Sequence, residues 1–164
     1  MKTFFAVCVL TITLSLTGCS AQQTAQNISN VLGGILNIAQ QEEQALGQAD
    51  AAILSHWVTL GLTLKGQTDT CIGAAGNTKA KLATCLTAFV GGLLSPQELA
   101  GLRIMSTASQ KKVQLYATAA LIAINGALTQ WGQPAQPNPT IAVAPSTAEV
   151  RRLSAQLQLE GYLP

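Results

Sequence analysis

Apolar residues recur along most of this chain at spacings of three and four, the period of a helix with one face turned inward. Ile28, Val31, Leu32, Ile35, Leu36 and Ala39 form the first stripe and predict a helix over about residues 23–46. Gly33-Gly34 lies within that stripe, where it either admits a close neighbour or weakens the helix by roughly 1 kcal/mol per glycine. Gly47 then offers a stop and Asp50 a cap. Ile53, Trp57, Leu60 and Leu64, widened by Leu54 and Val58, predict a second helix over about residues 50–65, closed by Lys65-Gly66. Thr68 and Asp69 are candidate caps for a short turn containing Cys71. A third stripe follows Asn77-Thr78, with Leu82, Cys85, Leu86, Phe89, Val90 and Leu93 on one face.

Ser95-Pro96-Gln97-Glu98 is the sharpest local signal. A serine that accepts from the amide three residues on, a glutamate that reaches back, and a proline at the first helical position together specify a helix start. The helix beginning there carries Leu99, Leu102, Met105, Val113, Tyr116, Ala120, Ile124 and Trp131, and Gly132 ends it. Its polar centre, residues 106–112, marks a kink or a break. From Leu115 to Ala127 it is apolar nearly all round, which predicts a central position; the run is too short to span a bilayer and contains Asn125-Gly126. Residues 133–145 hold Pro134, Pro137, Pro139 and Pro145 and read as an extended strap. Ser146-Thr147-Ala148-Glu149 repeats the capping pattern, and Val150, Leu153 and Leu157 predict a short terminal helix within residues 146–164. With no alternating strand pattern, the expected fold class is all-α, a small bundle of about four main helices over residues 28–132 followed by the strap and a terminal helix.

The first stretch of the chain does not belong to that bundle. Met1-Lys2 is a short basic start, Phe4 to Leu16 is apolar, and small residues close the run. That is the layout of a secretory signal, and about 13 apolar residues fall short of the roughly 20 needed to cross a hydrocarbon core. Leu16-Thr17-Gly18-Cys19 resembles the lipobox of bacterial lipoprotein precursors. The resemblance implies a signal peptide over residues 1–18, cleavage between Gly18 and Cys19, and a lipid anchor on the Cys19 thiol. It also implies sorting by the next residue; Ser20, in place of the aspartate associated with inner-membrane retention, points to the outer membrane, facing the periplasm. Residues 19–27, rich in Gln, Ala, Thr and Ser, then read as a tether. Cys8 leaves with the signal.

Removing residues 1–18 leaves eight basic and seven acidic residues, a nearly neutral chain with no basic patch suited to nucleic acid. Cys71 and Cys85 remain after Cys19, and an even pair in an exported chain reads as a disulfide, the alternative being two free buried thiols. On one uninterrupted helix these sulfurs would stand about 21 Å apart. A bridge therefore requires the chain to reverse between them, for which Gly73, Gly76 and Asn77 are suited.

Candidate chemistry is sparse, with charged residues at 10% and His56 the single histidine. No metal-ligand spacing surrounds it. Gly73 to Lys79 lacks the Gly-Lys-Ser/Thr order and the preceding strand of a phosphate loop. Glu42-Glu43 diverge on a helix and read as a solvated face, and no nucleophile-with-base motif is present. The expected function is therefore non-catalytic, with no cofactor: a lipid-anchored interaction or scaffold module with an envelope protein partner. In size, anchor, helical pattern and single disulfide the chain is similar to the helical pilotins that escort secretion-pore subunits, without a shared motif. A carrier of a small apolar ligand, held along the alanine-rich helix, is the second expectation.

Overall fold

The computed structural model describes residues 20–163, so the signal-peptide reading and Cys19 fall outside the described residues. Among the described residues every regular element is helical: α1 Ala21–Glu43, α2 Gln48–Ala75, α3 Lys79–Leu93, α4 Pro96–Leu102, α5 Thr107–Gln130 and α6 Thr147–Leu159. The all-α expectation is met.

Four of these helices alternate in direction. Gln22 at the start of α1 bonds to Ile72 and Asn77 at the end of α2, and Trp57 near the start of α2 bonds to Leu93 at the end of α3. Lys112 at the start of α5 pairs with Glu42 at the end of α1 at 3.0 Å. The result is an up-down-up-down bundle in which α4 makes the last connection. Leu32, Leu36, Leu54, Trp57, Ile72, Leu82, Leu86, Phe89, Val113 and Ile124 fill its centre, each at most 2% exposed.

Three boundaries differ from the sequence reading. Of the tether expected over residues 19–27, residues 20–27 are not extended: Ser20 accepts from Gln23 N at 3.2 Å and caps α1, which already buries Thr24 and Ala25. The composition of that stretch is polar, but its period places two small residues against the bundle. Secondly, α2 does not stop at Lys65-Gly66. Thr68, Ile72 and Ala75 continue its buried face. Lys65 Nζ to Asp69 Oδ2, 2.7 Å, and Thr70 Oγ1 to Gly66 O, 3.0 Å, brace the turn through the glycine. The real stop is Gly76, whose φ of +56° favours glycine. Cys71 therefore sits on the last turns of a helix rather than in a turn capped by Thr68 and Asp69. Thirdly, of the kink or break expected over residues 106–112 the structure shows a break, and it falls earlier, at residues 103–106, with residues 107–112 already helical. α4 ends at Leu102, and Ser106 accepts from Ser109 N to start α5.

After Gly132, with φ +71°, residues 133–146 run back along α5 without regular structure, and α6 opens with a complete capping box between Ser146 and Glu149. Leu153 and Leu157 are buried, and α6 packs on α1 and α5. Gly34 explains how closely it docks. A β-carbon there would lie 2.5 Å from the Tyr162 ring and 2.8 Å from Leu157, so the glycine is the seat for the C-terminal segment. The Tyr162 hydroxyl accepts from Asn37 Nδ2 at 2.8 Å above that seat.

Candidate functional site

The end of the bundle nearest Cys19 is assembled from the start of α1 and the α2–α3 turn. Gln22 N donates to Asn77 Oδ1 at 3.2 Å and Gln22 Nε2 to Ile72 O at 3.4 Å. One turn of helix away, Cys71 and Cys85 stand at disulfide distance, with S–S 1.98 Å and Cα–Cα 5.7 Å, inside the range a bridge requires. The reversal falls at Gly76-Asn77-Thr78, while Gly73 to Ala75 are helical. That geometry removes any phosphate-loop character from Gly73 to Lys79. Lys79 and Lys81 instead open α3, both exposed. Gly18 and Cys19, the residues of the cleavage and lipidation reading, lie outside the described residues.

At the opposite end, Asp50 binds the start of α5. Its carboxylate accepts from Ser106 N at 3.1 Å, from the Ser106 hydroxyl, and from Ser109 Oγ at 2.6 Å. These bonds, the Ser106 hydroxyl foremost, hold the Asp50 carboxyl below its ordinary value. Sequence reasoning saw Asp50 only as a cap for its own helix; its reach to Ser106, 56 residues away, is a tertiary fact with no local signature. Nearby, Tyr116 is 2% exposed. Burial first, and the Glu42 carboxylate bonded to it second, push its phenol well above the usual tyrosine range.

Between α1 and α2, Asp69 of α2 gathers the Ser29 hydroxyl and Gln26 Nε2, the latter at 3.4 Å, from α1 and the Lys65 ammonium from its own helix. Partial burial disfavours its charge, but Lys65 and Ser29 outweigh that and hold the carboxyl below its ordinary value. Glu149 is likewise held down by the Ser146 hydroxyl and amide.

For all three groups the unfolded chain binds protons more readily than the folded one. Their stabilisation is complete above the unfolded carboxyl range near pH 4 and is lost as pH falls through the lower folded values. The melting temperature should therefore hold steady from about pH 7 to 5 and decline below about pH 4. Asp50→Asn should make that decline shallower, and an unchanged slope in calorimetric scans across this range would contradict the assignment.

The strap is read by two amides. Gln114, 2% exposed, accepts from Ile141 N at 2.7 Å and Ala142 N at 3.2 Å while donating to Pro139 O at 3.0 Å and Asn138 Oδ1 at 3.2 Å. Asn125 makes a two-way pair with Gln136, 2.9 and 2.7 Å. Asn125 was visible in the sequence as a polar residue in an apolar run, and Gln114 stands immediately before that run. The signal lay in combining them with a following proline-rich segment whose backbone has no helix to bond within.

His56 Nε2 lies 3.3 Å from Glu98 Oε2, but the imidazole is 69% exposed on an open face. A carboxylate is thus at hand while a cleft is not. Glu42 and Glu43 do not form a pair: Glu42 is taken by Lys112. Among the described residues no group of His, Cys, Asp and Glu is placed to hold a metal ion, and no helix is long and apolar enough to cross a membrane. Two open grooves flank the bundle. One, about 260 Å³, lies between α3 and the start of the strap, over Ala83, Thr87, Leu128 and Pro134. The other, about 320 Å³, lies beside Gly33, Leu62, Lys65 and Tyr162. No family model, curated protein or solved structure matches the chain.

Proposed function

We propose that this chain is a lipid-anchored protein of the bacterial envelope, cleaved after Gly18 and acylated on Cys19, whose helical domain is a non-catalytic interaction or scaffold module. The observation that carries the reading is the Leu16-Thr17-Gly18-Cys19 box directly after an apolar run and directly before Ser20, the cap of α1. An outer-membrane address facing the periplasm follows from Ser20 in the sorting position, and an oxidising compartment suits Cys71 and Cys85. Three of the domain's carboxylates are committed to structure: Asp50 joins α2 to α5, Asp69 joins α2 to α1, and Glu42 pairs with Lys112. This favours recognition over turnover.

Recognition of a protein fits better than carriage of an apolar ligand. Ala117, Ala120, Ala123 and Ala127 of α5, the residues expected to line a ligand cavity, are buried among the core side chains. The pilotin-like role belongs to the same reading, as one kind of envelope protein partner.

The test is intact mass and membrane fractionation of the full chain from a Gram-negative host, beside Cys19→Ala. A mature mass raised by acyl chains, an outer-membrane location, and loss of both in the variant are expected. A soluble, unacylated product from the wild-type chain would sink the anchor. Lipid retained by the purified domain would move the carrier ahead.

A further inference from the structure

We infer that the anchor-proximal end of the bundle is itself a membrane contact, in which Lys79 and Lys81 meet the anionic headgroups of phospholipids. This rests on the Cys19 anchor and specifies how the domain stands on it. Cys19 precedes Gln22 by three residues, a span of at most about 10 Å, and the Gln22 amide is bonded to Asn77. No flexible tether intervenes, because Ser20 caps α1 and the helix begins at Ala21. An acyl chain on Cys19 therefore places the α2–α3 turn, and Lys79 two residues beyond Asn77, within about a Debye length of the lipid surface.

The charge along the bundle axis suits that placement. At the anchor end Lys79 and Lys81 are exposed, and among the described residues neither is in an ion pair. The nearest carboxylate on α2, Asp69, is already held by Lys65 at 2.7 Å. Glu42, Glu43, Asp50, Glu98 and Glu149 lie toward the other end, where Arg103, Lys111, Lys112, Arg151 and Arg152 offset them, Lys112 pairing with Glu42 and Lys111 and Arg152 standing near Glu149. A negatively charged surface would thus attract the anchor end, which carries two lysines outside any ion pair, more than the far end, whose charges of both signs cancel. A basic side chain near such a surface gains about fivefold in occupancy. Two lysines beside a covalent anchor orient the domain without having to recruit it. The α4–α5 corner and the start of α6 then face away from the membrane, toward the compartment where a protein partner would be met, while the strap runs between the two ends.

The experiment uses the full acylated chain, its acyl mass verified, in vesicles of phosphatidylcholine with and without phosphatidylglycerol. A membrane-impermeant amine reagent and peptide mass mapping compare Lys79 and Lys81 with Lys111 at the far end. Modification of Lys79 and Lys81 should slow about fivefold on the anionic vesicles while Lys111 is unaffected. Hydrogen exchange of the first-turn amides of α3 should slow in parallel, and Lys79→Gln with Lys81→Gln should abolish that slowing. Equal labelling of Lys79 and Lys81 on both vesicles, in a chain that carries acyl mass, would overturn the orientation and leave the anchor standing. Absence of acyl mass would overturn both.

Discussion

Trp57→Ala should be the most damaging single truncation in the bundle, with a loss of roughly 3–5 kcal/mol and a fall in melting temperature of about 10 °C or more. Trp57 is 1% exposed and is among the largest fully buried side chains. It also does what a leucine there would not. Its Nε1–H donates to Leu93 O at 3.2 Å, one of the carbonyls that the end of α3 leaves without a partner inside the helix. Removing the indole both opens a cavity and orphans that carbonyl beside the Leu94-Ser95 turn. Trp57→Phe separates the two contributions, since it keeps most of the apolar volume and loses only the donor; a cost of about 1–2 kcal/mol is expected for it. Urea unfolding followed by circular dichroism measures both. A cost below about 1 kcal/mol for the alanine variant would show that α2 and α3 are not clamped through this residue.

Such clamps show why some elements were legible in the sequence and others were not. The helix starts at Ser95 and Ser146 were plain because a capping box is built from residues three apart. Gly132 was plain as a stop because a positive φ selects glycine by itself, whereas Gly76 was read only as part of a reversal and proves to be the end of α2. Gly66 misled because its meaning depends on its neighbours. Ile72 and Ala75 lie beyond it on the buried face, and the bond from Lys65 to Asp69 spans it, so a residue that usually ends a helix is carried through. The first turns of α1 misled for the same reason: Thr24 is 1% exposed although nothing in Gln-Gln-Thr-Ala announces burial. Pattern reading finds faces. It does not find which polar residues another helix will cover.

The candidate site follows the same division. Cys19 and its box are local and readable, as is the need for a reversal between Cys71 and Cys85. That the reversal is bonded to Gln22, and so lies beside the start of α1, depends on a contact across 55 residues. Gln114 belongs to this second kind. Alone in an apolar helix it looks like a defect, yet its two donors and its carbonyl meet the strap at Asn138, Pro139, Ile141 and Ala142. A segment whose prolines deny it a ladder of its own is held instead by a buried amide, whose desolvation would otherwise be costly. The strap is thereby part of the fold. It delivers α6 to the seat at Gly34, which leaves α1 covered on the side where an isolated amphipathic helix would have been open.

The bridge between Cys71 and Cys85 should contribute roughly 3 kcal/mol in the loop-entropy account, for a loop of about 15 residues. For a domain of this size that corresponds to about 6–12 °C in melting temperature. The location of the bridge makes the loss specific. Cys85 is 1% exposed in the third stripe, whereas Cys71 is on the solvent side of α2, so Cys71→Ser removes the link while disturbing the core less than a change at Cys85. Beneath the link, Ile72 and Leu82 remain fully buried, and these contacts keep α2 and α3 together after reduction. The expected result is therefore a domain that still folds, with a lower melting temperature under oxidising conditions, and one that reductant leaves unchanged because nothing remains to reduce. Hydrogen exchange should rise first around Gly76-Asn77-Thr78, whose backbone makes few bonds of its own, and only later in α5. That order matters for the proposed anchor: if Cys19 is acylated, a frayed α2–α3 turn would free Gln22 from Asn77 and loosen the domain on its lipid. Equal melting temperatures for wild type and Cys71→Ser under oxidising conditions would mean that the two sulfurs are neighbours without being a staple.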